Sequence, residues 1–217
     1  MDFTRTKISL GRSFWSYSRV QATVGALIRN REFQITEAAR EFEYLNIGCG
    51  PYQPEGFCNV DYEWKPGLLC FDATRGIPLP SSSLRGIFTE HCLEHLSYAD
   101  CLAVLRDFRR MLKPGGVVRV VVPDGELYCT LYMRAQAGET VRWPYAENGK
   151  VPIYYVNRIM HDHGHRFIYD FDAMKEALLS AGFREVHRAR FREGSDPRLL
   201  IDQEHRSIES LYVEGIS

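Results

Sequence analysis

Residues 117–124, VVRVVVPD, form a nearly continuous apolar run. A strand that is apolar at every position, not at alternate ones, is buried on both faces, as in a parallel sheet with cover on each side. The preceding stretch, SYADCLAVLRDFRRMLKPGG (97–116), carries the repeat of an amphipathic helix. Leu102, Leu105, Phe108 and Leu112 share a face, Ser97 is placed to cap, Asp100 falls in the first turn, and Pro114-Gly115-Gly116 ends it. Four earlier segments have strand character: YLNIG (44–48), FCNVDYE (57–63), GLLCFDA (67–73) and LRGIFTEH (84–91). Strands interleaved with helices in this way predict an α/β fold, a doubly wound sheet. Further on, YDFDAMKEALLSAGF (169–183) predicts a helix capped by Asp172, with Met174, Ala177, Leu178 and Ala181 facing inward and Gly182 as the stop. REVHRARF (184–191) and ESLYVEGI (209–216) follow as two last strands with no helix signal between them, which suits an antiparallel pair.

Two regions stand outside this alternation. Residues 1–43 form a polar-amphipathic leader, in which Phe14, Tyr17, Val20 or Gln21, Val24, Leu27 and Ile28 approach helical spacing; it is expected to cover the core, or alternatively to act as a lid. The main domain is 44–217. Within it, 125–168 is an aromatic, irregular insertion holding Tyr128, Tyr132, Trp143, Tyr145, Tyr154 and Tyr155.

Composition narrows the function. A net charge of −1 gives no electrostatic case for a nucleic-acid partner. No apolar run approaches the roughly 20 residues of a membrane span, and the N-terminus lacks a signal-peptide core. None of the six cysteines forms a CxxC pair, so reduced thiols in a cytoplasmic protein are expected.

Chemistry concentrates first at YLNIGCGPYQPEGFCNVDYE (44–63). Gly48-Cys49-Gly50 after a first strand lets a ligand approach the backbone, although such a turn can be no more than a tight corner. A dinucleotide fold would place a full helix before the second strand and its acidic residue. Here Pro51, Pro54 and Gly56 fill that gap and Asp61 follows too soon. Asp61 ends the second strand, where it can accept from ribose hydroxyls; Asp72 ends the third, where it can accept from an adenine amino group. EHCLEHL (90–96) follows the fourth strand at the same carboxyl edge, where open α/β sheets hold ligands.

As a set, LNIGCG, NVDYE, FDAT, IFTEHCLEHL and LKPGGVVRVVVPD resemble the successive motifs of class I S-adenosylmethionine-dependent methyltransferases. The likeness is nearest to the small type-11-like group and runs from about Leu45 to Val213. It implies a Rossmann-like, mostly parallel sheet of seven strands with the last antiparallel. It also implies S-adenosylmethionine as cofactor. Gly48, Cys49 and Gly50 would lie against its methionine part, with Asn46 in the same set. Asp61 would hold the ribose, Tyr62 would pack on the adenine, and Asp72 and Ala73 would take the adenine edge. Glu90 and His91 would border the methyl group. A phosphate-free cofactor does not need the long helix that a pyrophosphate favours, and an acid after the second strand repels the 2′-phosphate of NADP.

The expected reaction is O-methylation of a small-molecule or glycan hydroxyl. An alcohol must lose its proton, and His91, His163 and His165 are the candidate bases. The run HDHGH (161–165) has other readings: a metal site of His161, His163, His165 and Asp162, or a loop with one buried histidine bonded to Asp170 or Tyr169. No metal is assigned. Arg142, Lys150, Arg158 and Arg166 are candidates for an anionic acceptor. The rival functions are a cofactor-binding protein without catalysis and an NAD-dependent oxidoreductase.

Overall fold

The computed structural model describes residues 23–30 and 41–217. Seven strands form one sheet: β1 (Tyr44–Ile47), β2 (Cys58–Asp61), β3 (Leu69–Cys70), β4 (Leu84–Glu90), β5 (Leu112–Pro123), β6 (Glu185–Arg188) and β7 (Ser210–Ile216). Their order is β3-β2-β1-β4-β5-β7-β6. β1 runs parallel to β2 and β4, and β4 to β5, while β7 is antiparallel to both neighbours. The expected Rossmann-like sheet is therefore present, with its last strand reversed. The order changes direction between β1 and β4, and such a switch point opens a crevice at the carboxyl ends of the strands.

One face of the sheet is covered by helix α1 (Tyr98–Met111) and by a second helix, Phe171–Ser180. They pack on Leu45, Ile47, Ile87, Val118, Val120, Val122 and Val213. Ser97 caps α1 as expected, its hydroxyl accepting from the Asp100 amide at 3.2 Å. The buried stripe of α1 is Cys101, Val104, Leu105, Phe108 and Met111, so Leu102 lies at its border and Leu112 belongs to the strand. Pro114-Gly115-Gly116 does not end the helix; it lies inside β5, because Leu112 already pairs with Leu84 and the register then shifts before Gly86 meets Val117. Asp170, not Asp172, caps the helix at 171–180, accepting from the Ala173 amide at 2.8 Å. Asp172 sits in its first turn, where an acid also suits the helix dipole.

The insertion is not irregular. It contains α2 (Gly125–Gln136) and α3 (Pro152–His161), which makes Phe171–Ser180 α4. Asp124 caps α2 and Pro152 opens α3. Trp143 stacks on Tyr155 with ring centroids 4.6 Å apart, and Tyr128, Leu131 and Ile159 complete a satellite core.

The other face of the sheet presents Tyr44, Phe88, Val117, Val121 and Tyr212, covered in part by Leu199 from the segment between β6 and β7. Arg119 points into this layer and is fully buried. It donates two bonds to Asp202 (2.7 and 2.6 Å), one to Glu214 (3.0 Å), and others to the Arg190 and Glu193 carbonyls. The one cation inside VVRVVVPD is thus a clamp that holds 190–202 against the sheet.

Most of the leader lies outside the described residues, including Phe14, Tyr17 and Val20. Residues 23–28 are helical, and Ile28 packs with Trp64 on Cys49, Leu68 and Cys70. Leu27 is 70% exposed, so the apolar stripe expected there does not extend to it. All six cysteines are free. Among the described residues no helix is long and apolar enough to cross a membrane.

Candidate active site

The link from β1 to β2 contains turns and no helix. Gly48 (φ 71°) and Gly50 (φ 55°) both take a left-handed backbone that glycine adopts without strain. The turn's amides are spent internally: Gly48 and Cys49 donate to the Val60 carbonyl (2.9 and 3.2 Å), and Gly50 donates to Asp61 Oδ2 (2.7 Å). Asp61 Oδ1 accepts from the Glu63 amide at 2.8 Å. Each carboxylate oxygen has two lone pairs, so Asp61 is held by one on each side and keeps the other for a ligand.

Around this turn, Asn46 is buried and donates to Asn59 Oδ1 (2.9 Å) and the Tyr52 carbonyl (3.3 Å), stitching the loop together. Asp72 Oδ1 accepts from the Thr74 amide and hydroxyl (3.0 and 2.7 Å), and its own amide donates to Asn30 (2.9 Å). Ala73 begins the short helical turn that follows. The Arg29 guanidinium lies 3.8 Å over the half-exposed Tyr62 ring. Burial raises the Cys49 thiol to about 12, which keeps it protonated and inert.

The turn after β4 abuts the glycine turn. A Cβ on Gly48 would lie 2.5 Å from Cys92 Cβ, so the two backbones approach as only glycine permits. Either side of Cys92 the chain faces a cavity of about 470 Å³. His91, Glu94 and His95 line it from this turn, Tyr128 from α2, Tyr145, Arg158 and Ile159 from the insertion, and Arg206 and Glu209 from the turns that lead into β7. His163, His165 and His205 complete the wall, so five of the chain's seven histidines share one space. Glu90 turns the other way: its carboxylate accepts from the Gln203 amide (3.0 Å) and side chain (2.5 Å) on the opposite face.

Residues 25–188 match a sequence family described as a methyltransferase domain. The chain belongs to this methyltransferase family. No curated protein matches it significantly. Solved structures that resemble it include a SAM dependent methyltransferase from Archaeoglobus fulgidus, with 15% identity, a TM-score of 0.50, and coverage of 94% of this chain and 99% of that one. Another is an S-adenosylmethionine dependent methyltransferase from Mesorhizobium loti, with 15% identity, a TM-score of 0.48, and coverage of 83% and 96%. At such identity the first likeness concerns the fold alone.

Hydrogen bonds fix the protons in the methyltransferase's cavity. Ser210 donates its hydroxyl proton to the Arg206 carbonyl (2.8 Å), so His91 Nε2, 2.8 Å from Ser210 Oγ, must donate. That leaves His91 Nδ1 as a lone pair. His165 Nδ1 donates to the Ile159 carbonyl at 2.6 Å, in place of the expected bond to Asp170 or Tyr169, and leaves Nε2 as a lone pair. Burial lowers the pKa of all three inner imidazoles: His91 to about 2, His95 to about 4, and His165 in the same direction. Burial also raises Glu94 to about 8. His163 is exposed at the rim, with a left-handed backbone (φ 60°).

Of the four cations singled out in the sequence, only Arg158 lines the cavity; Arg166 pairs with Asp100 (3.8 Å) and Lys150 sits over the Tyr154 ring (4.4 Å). Arg206, Glu209 and His205 were not foreseen, because 204–209 carries no periodic pattern or motif. Glu94 was legible within EHCLEHL, yet nothing local marks it as the buried member.

Proposed function

We propose that this methyltransferase transfers a methyl group from S-adenosylmethionine to a hydroxyl of a small molecule or glycan held in the cavity. The observation that supports this most is the contact of Gly48 with Cys92, which sets the cofactor edge beside the His91 wall. The residues fit a phosphate-free ligand. With the amides of Gly48, Cys49 and Gly50 already bonded, the turn has none left to hold a pyrophosphate, while Asp61 keeps acceptor capacity for ribose hydroxyls. Asp72, whose Oδ1 alone accepts from Thr74, would hold the adenine amino group through Oδ2, and Tyr62 would border the ring.

When bound, the cofactor supplies a methyl group on a sulfonium, open to in-line displacement. The protein's part is alignment, which alone lowers such barriers by roughly 7–11 kcal/mol in favourable cases. Arg158 and Arg206 orient an acceptor that carries negative charge, and Tyr145 offers it a ring face. His163 takes the hydroxyl proton, since His91 and His165 each commit one nitrogen and turn the other towards Glu94, as His95 also turns its Nε2. Six unpaired thiols suit a reducing compartment such as the cytoplasm.

Calorimetry with S-adenosylmethionine, S-adenosylhomocysteine and NAD tests the cofactor. Binding of the two adenosyl compounds is expected, and a response to NAD alone would sink the proposal. Mass analysis of a metabolite extract incubated with labelled cofactor identifies the acceptor. His163→Ala should lower turnover while leaving cofactor affinity unchanged; equal turnover would remove His163 as the base.

A further inference from the structure

Glu94 is fully buried, and neither carboxylate oxygen has a hydrogen-bond partner among the described residues. An unpaired buried carboxylate is costly, and native proteins rarely leave one without a counterpart. What faces it are imidazole nitrogens: His91 Nδ1 at 3.7 Å, His95 Nε2 at 3.8 Å and His165 Nε2 at 3.9 Å from Oε1. These gaps exceed hydrogen-bond length. At His91 and His165 the nitrogen turned to Glu94 is the one without a proton, as the Ser210 and Ile159 bonds require. Lone pairs therefore point at a carboxylate, and something positive belongs between them.

A proton on Glu94 would answer one of these lone pairs and leave the rest. A metal ion would answer several together. The ligand atoms of Glu94, His95 and His165 all lie within 4.8 Å of one another. Two ligands on a tetrahedral zinc ion stand about 3.4 Å apart, given bonds of about 2.0–2.1 Å. The His95 and His165 nitrogens need only close on Glu94 by a few tenths of an ångström.

We propose that Glu94, His95 and His165 bind one divalent transition-metal ion, zinc by ligand type, with an open position towards the cavity. Two imidazoles and one carboxylate are a set that catalytic zinc sites use, keeping the fourth position for water or substrate. The backbone holds the set in place: the Arg166 and Phe167 amides both donate to the Glu94 carbonyl (2.7 and 3.2 Å), tying the His165 segment to the Glu94 turn. The Ile159 carbonyl steadies His165 by accepting from its Nδ1. The site differs from the one HDHGH alone suggests, since only His165 of that run takes part.

The role of the ion rests on the methyltransferase reading. An acceptor hydroxyl on the open position becomes more acidic, as metal-bound water does. Its proton passes to His163, which lines the same cavity. The new O–C bond then forms as the methyl C–S bond breaks, with the electron pair left on sulfur.

The test uses the full chain, stripped with a chelator and titrated with zinc by calorimetry and with cobalt by visible absorption. One equivalent of each should bind. His165→Ala and His95→Ala should each lower zinc affinity by about 100-fold or more, while His187→Ala on β6 leaves it unchanged. Should an alanine variant fail to fold, Glu94→Gln keeps the volume, removes the anionic ligand and must also weaken zinc. Binding of S-adenosylhomocysteine, measured on every sample, reports the cofactor site separately. If the cofactor product binds and zinc does not, or if zinc affinity is the same in the ligand variants as in His187→Ala, the metal site is overturned and the cofactor reading stands. If zinc binds as expected and the cofactor product does not, the methyltransferase role given to the ion falls, and the site itself is supported.

Discussion

Arg119 and Asp202 meet through two parallel hydrogen bonds of 2.7 and 2.6 Å, with both side chains fully buried. The guanidinium fork matches the carboxylate, and Glu214 and two carbonyls take the remaining donors. Removing one partner strands the other's charge. Asp202→Ala should therefore cost about 3–5 kcal/mol in urea unfolding. Replacing Arg119, Asp202 and Glu214 together by apolar residues of similar volume should recover much of that loss.

Gly48 tests the contact between the two turns. Gly48→Ala places a methyl group against Cys92 at a φ of 71°, which should cost about 1–3 kcal/mol and weaken cofactor binding. Cys92→Ala should not rescue it, since Cys92 Cβ itself would lie 2.5 Å from the new atom. Thermal unfolding and calorimetry of the single and double variants read both effects.

Asp61→Asn leaves one oxygen for two backbone amides, those of Gly50 and Glu63. Hydrogen bonds to charged groups contribute about 1.5–3 kcal/mol, so affinity for S-adenosylhomocysteine should fall by roughly 10–100-fold. Glu90→Gln should change it by less than about threefold, because Glu90 is turned to Gln203 on the other face of the sheet.

Glu90 should instead show in the pH dependence of stability. Burial raises its pKa in the folded state. The folded protein then holds that proton more tightly than the unfolded chain. The resulting stabilisation is full below the unfolded value, about 4.3, and is lost as pH rises through the raised folded value. Glu90→Gln should flatten the stability curve across that window, as followed by denaturant titrations at a series of pH values.

Thiol reactivity should separate the cysteines. Burial pushes Cys49 and Cys58 to about 12 and Cys101 to about 11, whereas Cys129 is exposed. Brief alkylation of the native protein at pH 8 should label Cys129 alone, and labelling after denaturation should reach all six, as peptide mass mapping would show.

Local rules carried much of the fold. The apolar run of β5, the Ser97 cap and the absent helix after β1 each depend on neighbours in sequence, and each was legible. The Asp170 cap was missed because two acids stand two positions apart and either could start the helix. The insertion looked irregular because its apolar positions are mostly aromatic and bind to one another, not to the sheet, so the usual helical stripe is blurred. Arg119 was invisible as a clamp, since Asp202 and Glu214 lie 83 and 95 residues away. The cavity was half legible: its histidines stood out as chemistry, but the burial of Glu94 follows only once Arg166 and Phe167 are tied to its carbonyl.

The stretch from Gln203 to Glu209 is fastened at each end by something outside it. Asp202 is gripped by Arg119, and Ser210 opens β7 against His91. Between those rivets it turns His205, Arg206 and Glu209 towards the cavity. A wall built this way is a replaceable panel: its side chains can be exchanged to reshape the cavity while the frame that carries it stays whole.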